Sequence, residues 1–212
     1  MVIGKYNKSV ILTYTGVVLS LLGIFIALDR KDLRFAVMLL IIAGVCDLFD
    51  GKVARAMKRT EEEQSFGVEI DSLADMIDFV AFPIVLVYSL AGYYNRWYHV
   101  LIYILYALCA ITRLGYFNIT VNGKQMEEPV KYYRGLPVTY TALIFPSVWF
   151  LSKVIPGSAV SPVVFTDIVY PAVMGLTALF FILDIKIAKP RGVAYIVFAA
   201  LAAAMIGYIV WG

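Results

Sequence analysis

The chain has 212 residues, of which 62% are hydrophobic and only 16% charged, and its mean hydropathy is +0.84. A soluble domain runs near about 25% charged, so a soluble fold, a disordered chain, a coiled coil and a disulfide scaffold are excluded, and a polytopic membrane protein remains. The net charge of +3 comes without a basic stripe and gives no case for a nucleic-acid partner. The single histidine, His99, cannot build a His-rich metal site or a Ser-His-Asp triad. Cys46 and Cys109 sit in apolar stretches and read as small buried hydrophobes.

The first predicted helix is 9–28, SVILTYTGVVLSLLGIFIAL, an uncharged run long enough to cross a bilayer. It is too long for the apolar core of a secretory signal, so it is expected to be a retained span. After the short link DRKDLR, a second helix covers 33–56 and carries Asp47 and Asp50 near its end. The polar stretch MKRTEEEQS leads to a third helix over 68–92, with Asp71, Asp75 and Asp78 ahead of an apolar half. Pro83 is expected to bend that helix, with neighbouring helices re-satisfying the carbonyl it frees. A fourth helix spans 97–117, and 118–134 is a polar connection. A fifth spans 136–152 from the Gly135-Leu136-Pro137 segment, a sixth 164–183 and a seventh 192–212.

The predicted fold class is therefore an all-α polytopic membrane protein, a bundle of about seven transmembrane helices (six to eight), with residues 1–212 forming one domain. With the N-terminus inside, Lys5, Lys8, Lys52, Arg55, Lys58, Arg59, Arg113, Lys124, Lys131, Arg134, Lys186, Lys189 and Arg191 are cytoplasmic. Only Arg30, Lys31, Arg34, Arg96 and Lys153 are outside, an asymmetry that matches the positive-inside rule. Tyr93, Tyr94, Trp97 and Tyr98 would form an aromatic girdle at an outer turn.

Five carboxylates stand out against this apolar background. Asp47, Asp50 and Ala54 are spaced i, i+3 and i+7 on one helical face, and Asp71, Asp75 and Asp78 are spaced i, i+4 and i+7 on the next helix. The two helices are joined by a short cytoplasmic loop, so the acidic faces can meet and enclose a polar, cytoplasm-facing cavity. Converging carboxylates repel unless protons or cations neutralise them. Hard divalent ions, Mg²⁺ or Mn²⁺, favour such oxygens, and a pair of them is the usual arrangement for phosphoryl transfer. Gly51 and Gly67 leave space beside the acids, Ala54 keeps the wall small, and Arg55 can pair with a phosphate. The same acids also fit a proton relay or a cation path through the membrane, or a solvated helix end.

Residues 47–75, DLFDGKVARAMKRTEEEQSFGVEIDSLAD, resemble the signature of the CDP-alcohol phosphatidyltransferase family, D-x-x-D-G-x-x-A-R followed by G-x-x-x-D-x-x-x-D. The matching residues are Asp47, Asp50, Gly51, Ala54, Arg55, Gly67, Asp71 and Asp75. Arg113-Leu114-Gly115-Tyr116-Phe117-Asn118 is similar to the R-L-x-R-F-N of the family's phosphatidylserine synthase branch, with Tyr116 in place of the second arginine. Gly135-Leu136-Pro137 and Leu12-Thr13 are also similar to segments of that family.

The resemblance implies an integral enzyme of the cell membrane, typically a homodimer. It would transfer the phosphatidyl group of CDP-diacylglycerol, or of a CDP-linked ether lipid, to L-serine and release CMP. Glycerol 3-phosphate or an inositol phosphate is the alternative acceptor. By analogy, Asp47, Asp50 and Asp71 hold one metal ion, and Asp47, Asp71 and Asp75 lie near a second. Asp75 is the implied general base, and Gly51, Ala54, Arg55 and Gly67 line the CDP site. Arg113, Lys131 and Arg134 are the cations available for the serine carboxylate or a phosphate, with Asn118 near enough to assist.

Overall fold

In a computed structural model of the chain, each of the seven expected segments is helical. Residues 4, 8–29, 32–92, 95–123, 132–155, 162–188 and 193–211 are described. The helices are α1 (Lys8–Asp29), α2 (Leu33–Ala56), α3 (Glu61–Ala91), α4 (Trp97–Gly123), α5 (Thr141–Val154), α6 (Phe165–Ile182) and α7 (Val193–Trp211). Ser9–Asp29, Glu61–Ala91, Trp97–Ile119 and Phe165–Ile182 are long and apolar enough to cross a membrane, and Val138–Val154 and Tyr195–Trp211 are shorter apolar helices. Helix α2 has the length for a crossing, 24 residues, but carries Asp47, Asp50 and Lys52 in its second half.

The helix bounds differ from expectation where polar residues extend a helix. Helix α3 starts at Glu61 rather than 68, because Thr60 and Glu63 form a reciprocal cap. The Thr60 hydroxyl accepts from the Glu63 N–H at 3.2 Å, and the Glu63 carboxylate accepts from the Thr60 N–H at 2.8 Å. Three glutamates in the first turn complement the helix dipole. Helix α4 runs on to Gly123 rather than stopping at 117, so Asn118 is helical and not in a connection. There the side chain is fixed by Ser72, whose hydroxyl donates to Asn118 Oδ1 at 2.7 Å.

The all-α expectation is also incomplete. Strands β1 (Tyr132–Arg134) and β2 (Lys186–Ala188) pair antiparallel, with Tyr133 opposite Ile187. Gly135 ends β1 with φ of 72°, and a Cβ there would lie 2.6 Å from the Phe181 carbonyl oxygen. The left-handed conformation and the contact both require glycine. From this corner the Gly135 and Leu136 N–H groups donate to the Ile185 and Phe180 carbonyls, each at 2.9 Å, which ties the start of the α5 segment to the end of α6. A 3₁₀ turn, Val138–Tyr140, then leads into α5.

The expected disturbance at Pro83 takes the form of a π turn, Met76–Ala81, inside α3. Proline at 83 cannot bond the Phe79 carbonyl one turn back. That oxygen accepts instead from the Tyr106 hydroxyl of α4 at 2.6 Å, and the Thr141 hydroxyl of α5 stands 3.2 Å from it with the Val138 carbonyl nearer at 2.8 Å. Around this joint the core is packed from Leu40, Phe79, Phe82, Tyr106, Phe145 and Trp149, all nearly inaccessible. Helix α2 approaches α5 closely: a Cβ on Gly44 would come within 2.5 Å of the Ala142 Cβ. Cys109 is buried and Cys46 half-buried, and both are free thiols. Of the expected girdle, Trp97 and Tyr98 are exposed and in edge contact, whereas Tyr93 and Tyr94 lie outside the described residues.

Candidate active site

The second half of α2 and the first half of α3 bring their acids together. Ligand oxygens of Asp47, Asp50 and Asp71 all lie within 4.8 Å of one another. The Asp75 carboxyl, 9% exposed, lies against that of Asp47. Asp50 is 5% exposed, and its Oδ2 accepts from the Thr13 hydroxyl of α1 at 2.9 Å. The Ser9 carbonyl is farther from that hydroxyl, at 3.5 Å, so its single proton is directed at the carboxylate. An all-oxygen, acidic donor set fits a hard divalent cation and does not fit a thiolate- or imidazole-seeking one.

Asp78 behaves differently from its helical spacing. The π turn that follows Asp75 adds a residue to the winding, and Asp78 is aimed at α1, with Oδ2 3.0 Å from where a Gly16 Cβ would stand. It is outside the Asp47–Asp50–Asp71 group.

Two cavities adjoin the acids. The smaller, about 160 Å³, is lined by Thr13, Asp50, Gly51, Ala54, Arg59, Gly67 and Asp71 among others. Three of the small residues of the sequence motif, Gly51, Ala54 and Gly67, thus line one cavity with two of its acids. Arg59 lines this cavity with Gly67, its guanidinium 3.5 Å from where a Gly67 Cβ would stand. The side chain of Arg55 lies outside the described residues, although its backbone is part of α2. The larger cavity, about 320 Å³, contains Asp47 and Gly51 in its wall and is otherwise mostly apolar.

The cations proposed for an acceptor separate. Arg113 of α4 is 5% exposed, with its guanidinium 5.2 Å over the Phe117 ring. Among the described residues its Nε has no hydrogen-bond partner. Asp75, Tyr133 and Tyr116 are near enough to act on its charge. Asn118, one turn beyond, is held by Ser72, the neighbour of Asp71. Arg134 instead forms an exposed ion pair with Asp184 at 3.5 Å. Lys131 lies outside the described residues.

Sequence reasoning did not single out Arg59 or Ser72, and noted Thr13 without a role. Arg59 looked like one topology charge among several, and the signal for it was the capping box that follows immediately and fixes where it stands. Thr13 and Ser72 act through partners 37 and 46 residues away, which no local pattern carries.

The chain matches the family model described as CDP-alcohol phosphatidyltransferase over residues 6–183. It is 34% identical over 163 residues to archaetidylserine synthase of Methanothermobacter thermautotrophicus, covering 74% of this chain and 66% of that protein. It is 33% identical over 105 residues to CDP-diacylglycerol–serine O-phosphatidyltransferase of Saccharomyces cerevisiae, covering 48% and 36%. With the protein of that same name from Mycobacterium tuberculosis it shares 29% identity over 167 residues, covering 70% and 56%. The matches thus span from about a third to about two thirds of these relatives' lengths.

Proposed function

The chain belongs to the CDP-alcohol phosphatidyltransferase family, and from that premise we propose that it transfers the phosphatidyl group of a CDP-linked lipid to L-serine. The lipid is CDP-diacylglycerol or an ether analogue, and the products are phosphatidylserine, or its ether counterpart, and CMP. The observation that carries this reading is the Asp47, Asp50 and Asp71 oxygen cluster, of which Asp50 and Asp71 line a cavity with Gly51, Ala54 and Gly67. Serine as the acceptor is supported by the names of the relatives and by the buried Arg113, whose Nε is without a partner among the described residues.

In this reading Asp47, Asp50 and Asp71 would hold one divalent ion, and Asp47, Asp71 and Asp75 would hold the second. When bound, Mg²⁺ or Mn²⁺ neutralises diphosphate charge and acidifies a nearby hydroxyl. Gly51, Ala54 and Gly67 give the CDP moiety room against α2 and α3, Arg59 of the cavity wall would pair with its phosphates, and Arg55 is assigned to them by the motif alone. Arg113 pairs with the serine carboxylate through a charge-assisted hydrogen bond, strong in a site shielded from water. Asp75 takes the proton of the serine hydroxyl as its oxygen attacks the β-phosphorus. A new P–O bond forms to serine, the bond to the CMP oxygen breaks, and CMP leaves with the electron pair. The whole chain acts as one transmembrane unit of seven spans and as a homodimer in the cell membrane, with the acids opening to the cytoplasm as the basic-residue asymmetry directs.

The test is purified protein with Mg²⁺ or Mn²⁺, CDP-diacylglycerol and a panel of alcohols, with CMP and the lipid product measured. CMP release with serine is the expected result. Release with glycerol 3-phosphate or an inositol phosphate but not serine would overturn the acceptor assignment. Ion flux in sealed vesicles with no CMP from any acceptor would overturn the enzyme.

A further inference from the structure

The two faces of the β1–β2 ribbon meet different surroundings. Side chains alternate along a strand, so the register that sets Tyr133 opposite Ile187 places both on one face. That face is half-buried, and Tyr133 reaches the wall of the larger cavity beside Asp47. The other face carries Tyr132, Arg134, Lys186 and Ala188, all exposed.

On this outer face Arg134 stands directly opposite Lys186. Like charges directly opposed across a ribbon destabilise it. Arg134 is partly balanced by Asp184, 3.5 Å away, whereas Lys186 has no ion pair among the described residues. Two cations are thus held side by side against one acid, with Tyr132 on the diagonal from Lys186, and a bound anion would join them.

The position of the ribbon narrows which anion. Helix α6 is long and apolar enough to cross a membrane and ends at Ile182, and β2 starts at Lys186, within one turn's length of it. The Gly135 and Leu136 N–H bonds to the Ile185 and Phe180 carbonyls hold β1 at the same level. Leu183 and Ile185, between the helix and the strand, are exposed apolar residues beside the cations. Cations, a tyrosine and apolar side chains at the end of a membrane helix are the set that meets phospholipid headgroups. A free phosphate or a soluble acidic partner would leave Leu183 and Ile185 in water.

We propose that the outer face of the β1–β2 ribbon docks the headgroups of anionic phospholipids in the leaflet on the acid-bearing side of the molecule, with Arg134 and Lys186 on the lipid phosphate and Tyr132 beside it. The surface lies on the opposite face of the ribbon from Tyr133 and the cavity it lines, and it does not depend on the reaction proposed above.

The experiment follows thermal unfolding of the full chain in dodecylmaltoside micelles as dioctanoyl phosphatidylglycerol is added, with dioctanoyl phosphatidylcholine, inorganic phosphate and a polyglutamate peptide as comparisons. The anionic lipid should raise the midpoint saturably by about 2–4 °C, the shift that a modest stabilisation gives a chain of this size. The three comparisons should leave it unchanged. Lys186→Gln should raise the half-saturating lipid concentration about fivefold, the weight of one basic residue at an anionic surface. Lys186→Glu should abolish the shift without lowering the midpoint of the lipid-free protein, because glutamate opposite Arg134 exchanges a repulsive pair for an attractive one. Lys153→Gln, at the far end of α5, should leave the lipid response intact. A phosphatidylglycerol response that either Lys186 variant retains in full, that Lys153→Gln also loses, or that phosphatidylcholine reproduces overturns the docking surface. No response in the wild type does so too. An equal response to phosphate or to the peptide also overturns it, since a free anion or an acidic protein would then be the occupant.

Discussion

Replacing Thr13 with valine tests whether the geometry around Asp50 matters to metal binding. Valine keeps the shape of the side chain and removes only the hydroxyl, which donates to Asp50 Oδ2 at 2.9 Å. A hydrogen bond to a charged group contributes about 1.5–3 kcal/mol. At about 1.4 kcal/mol per tenfold, that corresponds to roughly 10- to 100-fold weaker binding of whatever Asp50 holds. Loss of a group that orients a metal ligand falls in the same range, about 10–100-fold. The assay is CMP release as a function of Mg²⁺ concentration. The half-activating concentration should rise by that factor, while the KM for serine at saturating Mg²⁺ stays at the wild-type value. Thr13→Ser should restore most of the affinity, because it returns the donor. A Thr13→Val protein with wild-type Mg²⁺ dependence would refute Thr13 as a positioning residue for Asp50. A parallel rise in the serine KM would instead indicate general damage to the bundle.

Four further outcomes follow from the same geometry. Asp75→Asn should reduce kcat by about 10²–10⁴-fold, the usual contribution of a general base, with Mg²⁺ binding measured separately by calorimetry to distinguish a lost base from a lost ligand. Arg113→Ala should lower kcat/KM for serine by roughly 10- to 100-fold, the loss of one charge-assisted bond. Arg134→Ala, which breaks only the exposed pair with Asp184, should cost at most about 1 kcal/mol in stability and leave serine kinetics unchanged. Gly135→Ala should destabilise the protein by about 1–2 kcal/mol or more, because it combines a left-handed backbone with a contact at the Phe181 carbonyl. Thermal unfolding in detergent reads that loss, and an unchanged midpoint would show that the corner is not as tight as described.

Much of the site was legible because its signals are local. Asp47 and Asp50 lie three residues apart on α2, Asp71 and Asp75 four apart on α3, and helical periodicity alone aligns each pair. Hydropathy located all seven helices for the same reason, since every one contains a contiguous apolar run. Hydropathy also misplaced their ends. The Thr60 and Glu63 capping pair is a readable start signal, but a search for apolar residues passes over a helix whose first turn is three glutamates. The expectation for Asp78 failed because it assumed an uninterrupted α-helix, and the π turn before Pro83 changes the direction of every side chain after Asp75. Strand β1 is three residues long, too short for an alternation to show, and its partner lies more than fifty residues away. Arg113 is the better candidate from the sequence because it follows a long apolar helix, and tertiary packing separates it further, buried over Phe117, from Arg134, paired at the surface.

Helices α3, α4 and α5 meet at a single oxygen atom, the Phe79 carbonyl. In hydrocarbon, apolar helix faces have little reason to prefer one axial offset over another, because lipid tails are as apolar as the side chains they replace. The short Tyr106 hydrogen bond to that carbonyl, with the Thr141 hydroxyl packed beside it, removes that freedom and acts as a datum for height. Asp75 lies four residues from it along α3, about 6 Å, and Arg113 seven residues from Tyr106 along α4, about 10.5 Å, both measured towards the acidic end. A slip of one helical turn, about 5.4 Å, would carry Arg113 out of step with Asp75. The joint lies in the apolar interior about one turn beyond Asp75, and it sets the level at which the acids face the only buried arginine among the described residues.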